Sequence, residues 1–258
     1  QASNETLKND MIANDSFFAA GITDLNDEQE CFLDGQLFVN SLQILLKMFP
    51  GNKHSVENVK MAFEEYVSCR DMVGIFSLSK NPCVGMMWAL YASMRRGYCI
   101  IYNKDALLKA PSSVYMNDRL MLEVKYSRKA PKADLRDISK GKLPQKLFGS
   151  KEAGWSAEEE VRIVTDRCGM QRLVPSALHG IIFGSEMSDE DKDKIKDTLK
   201  NRNVCFYQLQ RKKNDYGYEY VLDEKFEISS DLDVATYLSP IKTECGITDN
   251  FFVKLTVS

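Results

Sequence analysis

Short apolar runs between residues 73 and 210 constrain the fold of this chain more than any other feature of its sequence. Each run is five to seven residues long and lies next to turn-forming residues, such as Lys80-Asn81-Pro82. Runs of this length are typical of buried strands, whereas helices need a longer periodic pattern. We therefore predict strands at residues 73–77, 98–102, 120–126, 160–165, 179–184 and 204–210.

Helical patterns do not alternate regularly with these strands. Apolar residues recur at helical spacing over residues 38–49 and 56–69, and further helices are predicted over residues 85–95 and 188–200. Residues 130–145 are rich in Pro, Lys and Gly without periodicity, which predicts a loop or lid. Because regular alternation is the mark of a doubly wound parallel sheet, its absence favours an α+β fold.

The expected organisation is one α+β domain over residues 1–222, with helices concentrated in the N-terminal part. Its sheet is expected to be central and mixed or antiparallel, and residues 223–258 are expected to form a C-terminal arm or annex. A chain of 258 residues can bury about 70–75% of its unfolded surface, so it needs no disulfide or metal to be stable.

The cysteines and the hydropathy pattern predict the compartment. Seven cysteines occur without a CxxC pair, and most have apolar neighbours, as in Tyr98-Cys99-Ile100. This pattern is typical of free thiols in a reducing compartment, so the cytosol is the expected location. No apolar run approaches the roughly 20 residues of a membrane span, and no association with a membrane is expected.

Charge and missing motifs exclude several classes of function. The net charge of -3 counts against a generic nucleic-acid binder. Neither GxGxxG nor GxxxxGK[ST] occurs, so two common ways of holding phosphates are absent. With only His54 and His179 and no HExxH motif, a zinc site or a serine triad is poorly supplied. No metal cofactor is expected.

The segment 155–164 is the strongest candidate site. In a strand, alternate side chains share a face, so Glu158, Glu160 and Arg162 lie together if the strand begins early enough. Two carboxylates about 7 Å apart beside a guanidinium can act as acid and base or hold a hydroxyl group. The alternative is a solvated strand edge carrying an Arg–Glu ion pair.

Two further groups of residues could serve a site or the structure alone. Ser77 and Ser79 share a face at the end of a predicted strand, and Trp88 and Tyr91 share a face of the helix that follows. They could line a pocket for a flat ring, or form part of the core. Asn26 lies in a Leu-Asn-Asp sequence that is typical of an ordinary turn.

Taken in order, these elements resemble a bacterial and phage family of unknown function. The resemblance covers roughly residues 7–220, and its most specific mark is Lys followed by Trp-x-x-Glu-x-Glu-x-Arg. The chain departs from the family pattern at Glu28, where the family usually has proline. The matching residues are Leu25-Asn26-Asp27, Phe76-Ser77, Met87-Trp88-Ala89-Leu90-Tyr91, Gly97-Tyr98-Cys99-Ile100-Ile101-Tyr102, Val124, Tyr126, Lys151, Trp155, Glu158, Glu160, Arg162 and Ile181-Ile182-Phe183-Gly184.

The order of these parts is similar to that of a distant ADP-ribosyltransferase. The resemblance implies a split sheet with its core at about residues 70–210, and NAD as the substrate. It implies that Glu160 is catalytic, holding the nicotinamide-ribose hydroxyl and stabilising an oxocarbenium-like transition state, and that Glu158 orients or deprotonates the acceptor. The residues it implies for NAD binding are Asn26, Ser77, Ser79, Trp88, Tyr91, Trp155 and Arg162. No residue of this sequence is assigned to the NAD-gripping position of the family's first strand.

Three functions stay open at this point. The leading one is an ADP-ribosyltransferase-like enzyme that cleaves NAD and modifies a macromolecular acceptor, protein or nucleic acid, in phage–host or toxin conflict. The second is a non-catalytic module that binds a nucleotide or a protein. The third is a metal-dependent nucleic-acid enzyme, which the basic residues at 125–132 and 211–213 keep open. The sequence does not give the acceptor or the oligomeric state.

Overall fold

The computed structural model describes residues 11–109, 119–223, 241–242, 246–247 and 251–256. Its strands are named in chain order. They are β1 Ser16–Ala19, β2 Gly74–Ser79, β3 Tyr98–Asn103, β4 Leu120–Glu123, β5 Lys125–Ser127, β6 Ser150–Glu152, β7 Glu160–Thr165, β8 Gly169–Arg172, β9 Leu178–Phe183, β10 Cys205–Arg211, β11 Tyr218–Leu222, β12 Ile241–Lys242, β13 Gly246–Ile247 and β14 Phe251–Thr256. The fold is mixed α+β, as the sequence predicts.

The two longest described helices lie in the N-terminal part of the chain, and shorter helices follow throughout. They are α1 Gln36–Met48, α2 Lys53–Ser68, α3 Gly85–Tyr91, α4 Lys104–Leu108, α5 Leu135–Ser139, α6 Leu143–Phe148 and α7 Asp189–Leu199, and 3-10 turns form at Ile22–Asp24, Pro50–Asn52, Cys69–Asp71, Ala153–Glu158 and Pro175–Ala177.

The loop predicted for residues 130–145 is wrong, because this segment contains α5 and the start of α6. The Asp134 carboxylate accepts a hydrogen bond from the Arg136 backbone N–H, and Asp137 accepts one from the Asp134 N–H. This reciprocal capping stabilises a helix too short to show periodicity. Pro144 lies in the first turn of α6, where its missing N–H costs no helical hydrogen bond.

Eight of the described strands form one mixed sheet, in the order β11-β10-β9-β3-β14-β2-β7-β4. Only β9 and β10 run parallel, and the other neighbours are antiparallel. Strand β14 lies in the middle of the sheet and pairs with β3 over six residues. The end of the stretch expected to be an arm or annex is therefore part of the sheet, while most of residues 223–258 lies outside the described residues.

The sheet divides between β14 and β2. These two strands pair only at Val253 and Ser79, whereas β2 and β7 pair at six consecutive positions. Beyond that pair the edge of β2 meets the residue that follows β1, through two 2.8 Å hydrogen bonds between Ala20 and Ile75. A Cβ atom at Gly74 would lie 2.6 Å from the Ala19 Cβ, so glycine is needed for this close approach.

Apolar side chains cover both faces of the sheet. One face carries a large cluster that includes Phe76, Tyr98 and Phe252. The other face has two clusters, one under β3 and β14 around Trp88, and one under β2 and β7 around Phe38. The gap between β14 and β2 thus lies above the boundary between these two clusters.

The described residues bear on two sequence predictions, that no segment spans a membrane and that the cysteines are free thiols. None of the described helices is long and apolar enough to cross a membrane. The six cysteines in the described part of the chain are free thiols, and Cys31, Cys83, Cys99 and Cys205 are buried. Cys245 lies outside the described residues.

Candidate functional site

A cavity of about 360 Å³ lies at the gap between β14 and β2. Its walls include consecutive residues of β2, from Ile75 to Ser79. Because consecutive side chains of a strand point to opposite faces of the sheet, the cavity reaches both faces through the gap. Its volume falls within the range of small-molecule sites.

Arg162 anchors the polar wall of this cavity. It is fully buried on β7, directly opposite Ser77 of β2. Its guanidinium donates to both carboxylate oxygens of Glu160, at 2.8 and 3.1 Å, to the Phe148 carbonyl at 2.9 Å, and to Glu30. A buried guanidinium with this many acceptors is held in one position. The alternative of a solvated strand edge is therefore wrong, since the Arg–Glu pair lies inside the protein.

Lys151 joins three carboxylates around the same point. Its ammonium lies 2.6 Å from Glu158, 3.0 Å from Glu160 and 3.0 Å from Glu30. We call Glu30, Lys151, Glu158, Glu160 and Arg162 the glutamate cluster; all five are buried. Three carboxylates against two cations leave one formal negative charge in excess.

Opposite charges hold Glu160, Lys151 and Arg162 in their ionised forms. Burial acts to raise the pKa of Glu160, but Arg162 and Lys151, helped by the Ser77 hydroxyl, outweigh it and lower that pKa to about 2. Burial likewise acts to lower the pKa of Lys151 and of Arg162, and the carboxylates, Glu160 first, raise both. Glu160 is therefore a fixed, ionised carboxylate at neutral pH.

Two tyrosines extend the network. The Tyr91 hydroxyl donates to Glu158 at 2.5 Å and accepts from the Asn26 amide at 3.1 Å. Burial first, and then the hydrogen bond to Glu158, raise the pKa of Tyr91 to about 12. The Tyr126 hydroxyl accepts from the Glu160 backbone N–H at 2.8 Å. These contacts hold the Glu158 carboxylate and the Glu160 backbone in place, in addition to the ion pairs that hold the two carboxylates.

Glu158 reaches the cluster by a different route from the predicted one. The strand begins at Glu160, and Glu158 ends the preceding 3-10 turn, so the two do not share a strand face. Glu159 between them has a left-handed backbone, with φ 45° and ψ 48°. Non-glycine residues adopt that conformation only where surrounding contacts hold it, and here Asn81 donates to its carboxylate at 3.1 Å. This reversal turns Glu158 inward.

The structure brings together many of the predicted residues. Ser77, Ser79 and Asn26 border the cavity together with Tyr91, Glu158 and Glu160. Ser79 also accepts from the Asn81 backbone N–H at 3.0 Å, which fixes the turn after β2.

The two predicted tryptophans lie apart from the cavity wall. Trp88 is fully buried beneath the sheet and donates its indole N–H to the Pro82 carbonyl at 2.5 Å. The Trp155 ring lies 5.0 Å from the Lys151 ammonium and so covers the glutamate cluster from outside.

Sequence reasoning missed several residues of the site. Glu30, which follows the Leu25-Asn26-Asp27 turn, carries no sequence signal of its own, although it binds both cations of the cluster. In the sequence, Lys151 is distinguished only by its place in the motif that resembles the family of unknown function. Lys254 borders the cavity from β14 and donates to the Ser77 carbonyl at 2.9 Å. Tyr98 borders it from β3. For Glu30 and Lys254 no local pattern signals the role, because their partners are more than 100 residues away.

Comparison with known proteins finds similarity to one family, which is described as being of unknown function. A model of the family described as "Protein of unknown function (DUF2971)" matches residues 87–163. The chain is similar to that family over this segment, which contains Tyr91, Lys151, Glu158, Glu160 and Arg162. No curated protein and no solved structure matches the chain.

Proposed function

We propose that this protein is an ADP-ribosyltransferase-like enzyme, which cleaves NAD and transfers ADP-ribose to a macromolecular acceptor. The observation that carries the proposal is Glu160. It is an ionised carboxylate held by Arg162 and Lys151, hydrogen-bonded by Ser77, at the wall of a cavity that opens where the sheet divides. Such a carboxylate stabilises developing positive charge without having to reorganise.

The proposed reaction breaks the bond between the nicotinamide nitrogen and C1′ of its ribose. Nicotinamide leaves neutral with the electron pair of that bond, and the sugar develops the positive charge of an oxocarbenium ion. Glu160 binds a hydroxyl of this ribose and stabilises the charge. A nucleophile of the acceptor then forms a bond to C1′, and Glu158 accepts the proton that the nucleophile releases.

The charge of the glutamate cluster suits this substrate. The nicotinamide ring of NAD is cationic, and the cluster carries one formal negative charge in excess next to the cavity. Tyr91 and Asn26 hold Glu158 in place, so it is oriented before a substrate binds. Preorganised charge of this kind lowers a barrier more than charge that must first be ordered.

A non-catalytic nucleotide-binding module is the second candidate. It is favoured by the saturation of the carboxylates, since both oxygens of Glu160 and both of Glu158 already accept hydrogen bonds from protein groups. A metal-dependent nucleic-acid enzyme has less support. The described residues contain no group of acidic, histidine and cysteine side chains arranged to hold a metal ion, and the ammonium of Lys151 lies where the three carboxylates converge.

The test is incubation with labelled NAD, alone and with cell lysate, comparing the natural protein with Glu160→Gln. We expect release of nicotinamide or transfer of label, and a fall of about 10²–10³-fold in the variant because charge stabilisation is lost. Glu186→Gln, an exposed glutamate outside the cavity, is the matched control and should retain full activity. Circular dichroism establishes that both variants are folded.

Three outcomes contradict the proposal. Absence of turnover by a folded protein favours the binding module, particularly if NAD still binds to Glu160→Gln. Turnover that Glu160→Gln leaves unchanged removes Glu160 from catalysis. Activity on nucleic acid that a chelator abolishes favours the metal-dependent enzyme.

A further inference from the structure

The face of the sheet opposite the glutamate cluster forms a second part of the cavity. Phe76 and Tyr98 border it from β2 and β3, with Tyr102 and Phe17 beside them. The Phe17 and Phe76 rings stack with centroids 4.3 Å apart, and Tyr102 meets Phe76 edge-on at 5.7 Å. We call the space bordered by Phe17, Phe76, Tyr98 and Tyr102 the aromatic chamber.

One polar atom in the aromatic chamber is buried without a hydrogen-bond partner in the part of the chain that the structure describes. Tyr98 is 1% exposed, and its buried hydroxyl makes no hydrogen bond among the described residues. Buried hydroxyls almost always have a partner, because leaving one unsatisfied is costly. Burial raises the pKa of Tyr98, so the phenol keeps its proton and can donate it. A ligand with an acceptor on its edge would satisfy this group.

Lys254 gives this side of the cavity the opposite charge from the glutamate cluster. Its ammonium lies 5.5 Å from the centre of the Phe76 ring and donates to the Ser77 carbonyl, and the residue borders the cavity. A cation next to aromatic walls repels a cationic ring but attracts a phosphate. The two sides of the cavity therefore favour different ends of a charged ligand.

We propose that the aromatic chamber is a subsite for a neutral purine base and its phosphate, in which Tyr98 donates a hydrogen bond to the base and Lys254 contacts the phosphate. The inference rests on the proposed function and deepens it, since the adenylate half of NAD is then the part bound here. The cationic nicotinamide riboside half lies at the glutamate cluster, and the dinucleotide is oriented across the gap.

The experiment is calorimetric titration of the full chain with two probes, adenosine monophosphate and nicotinamide riboside. Tyr98→Phe removes only a hydroxyl that makes no hydrogen bond to the described residues, so we expect its thermal stability to be equal or slightly higher. Its affinity for adenosine monophosphate should fall about fivefold, which corresponds to about 1 kcal/mol for one hydrogen bond. Its affinity for nicotinamide riboside should stay unchanged. Tyr220→Phe, at a buried tyrosine that does not border the cavity, is the control and should alter neither affinity.

Glu160→Gln should show the reverse pattern, with weaker binding of nicotinamide riboside and unchanged binding of adenosine monophosphate. The subsite is overturned if adenosine monophosphate does not bind, or binds equally to Tyr98→Phe. If Tyr98 controls the binding of adenosine monophosphate while NAD is not cleaved, the purine subsite is supported and the proposed NAD-cleaving activity is not. The enzyme stands without the subsite if NAD is cleaved in a Glu160-dependent way and Tyr98→Phe has no effect.

Discussion

The two edges of β2 differ in how regularly they are paired. Toward β7, the strand pairs at six consecutive positions, and Ser77 and Ser79 face Arg162 and Glu160 across a closed ladder. Toward β14, the same strand uses three unrelated partners: Ile75 bonds Ala20, Ser77 accepts from the Lys254 side chain, and Ser79 pairs with Val253. Regular pairing fixes charges in place, and interrupted pairing leaves room for a ligand.

This contrast explains how β2 can both support a buried carboxylate and border a cavity. A buried carboxylate needs a rigid setting, because its charge is tolerated only where cations and donors are held at bonding distance. A cavity at this place requires interrupted pairing, since continuous pairing between β14 and β2 would close the gap. The candidate site thus lies where the rigid edge and the interrupted edge share a strand. Changes that affect one edge alone should separate the two contributions.

The largest effect is expected from Arg162→Met, which acts on the closed edge. The substitution keeps a long side chain but leaves Glu30 and Glu160 without their guanidinium partner. Breaking a buried ion pair from one side typically costs about 3–5 kcal/mol, because the remaining charge is uncompensated. We expect a loss of that size in the free energy of unfolding, measured by urea titration.

Lys60→Met is the control for this substitution. Lys60 pairs with Glu64 on the surface of α2, where both side chains are at least half exposed. Such a pair contributes less than about 0.5 kcal/mol. If the two substitutions destabilise the protein equally, the glutamate cluster does not stabilise the closed edge as its geometry indicates.

The pH dependence of stability is the second way to examine the closed edge. The folded pKa of Glu160 is lowered from 4.5 to about 2, so its ion pairs stabilise the protein fully above pH 4.5 and are lost as pH falls toward 2. Glu160→Gln lacks this contribution at every pH. We expect the variant to be less stable by about 3 kcal/mol at pH 7, with the difference shrinking below pH 4.5. Urea titrations at several pH values measure it; a difference that stays constant down to pH 2.5 would contradict the assignment.

How far the sequence predicts the molecule depends on how local each feature is. The strand Glu160–Thr165 and the helix Asp189–Leu199 were predictable, because period, length and capping residues act within a few positions. The pairing of Glu160 with Arg162 followed from strand alternation. The inward turn of Glu158 did not, since it depends on the left-handed backbone at Glu159.

The gap itself could not be predicted from the sequence. It depends on β14 entering between β3 and β2, and pairing of residues 251–256 with residues 98–103 spans about 150 positions without a local signal. Glu30 was missed for the same reason, because an acidic residue after a turn is ordinary until the fold brings Arg162 beside it. Site residues were therefore predictable where their partners were neighbours in sequence, and not where the partners came from a distant strand.

The smallest effect is expected at the interrupted edge, from Lys254→Met. The methionine retains contact with Phe76 but removes the hydrogen bond to the Ser77 carbonyl. One partly exposed hydrogen bond from a charged group contributes about 1 kcal/mol, so we expect a loss of that size in urea titration. Lys104→Met is the control, because Lys104 also lies over an aromatic ring, that of Phe252, but does not border the gap. Since β14 keeps its six pairs with β3, the sheet should persist in both variants. A loss from Lys254→Met as large as that from Arg162→Met would mean that the gap is held as firmly as the ladder. The two edges of β2 would then no longer differ in the way on which the proposed binding site depends.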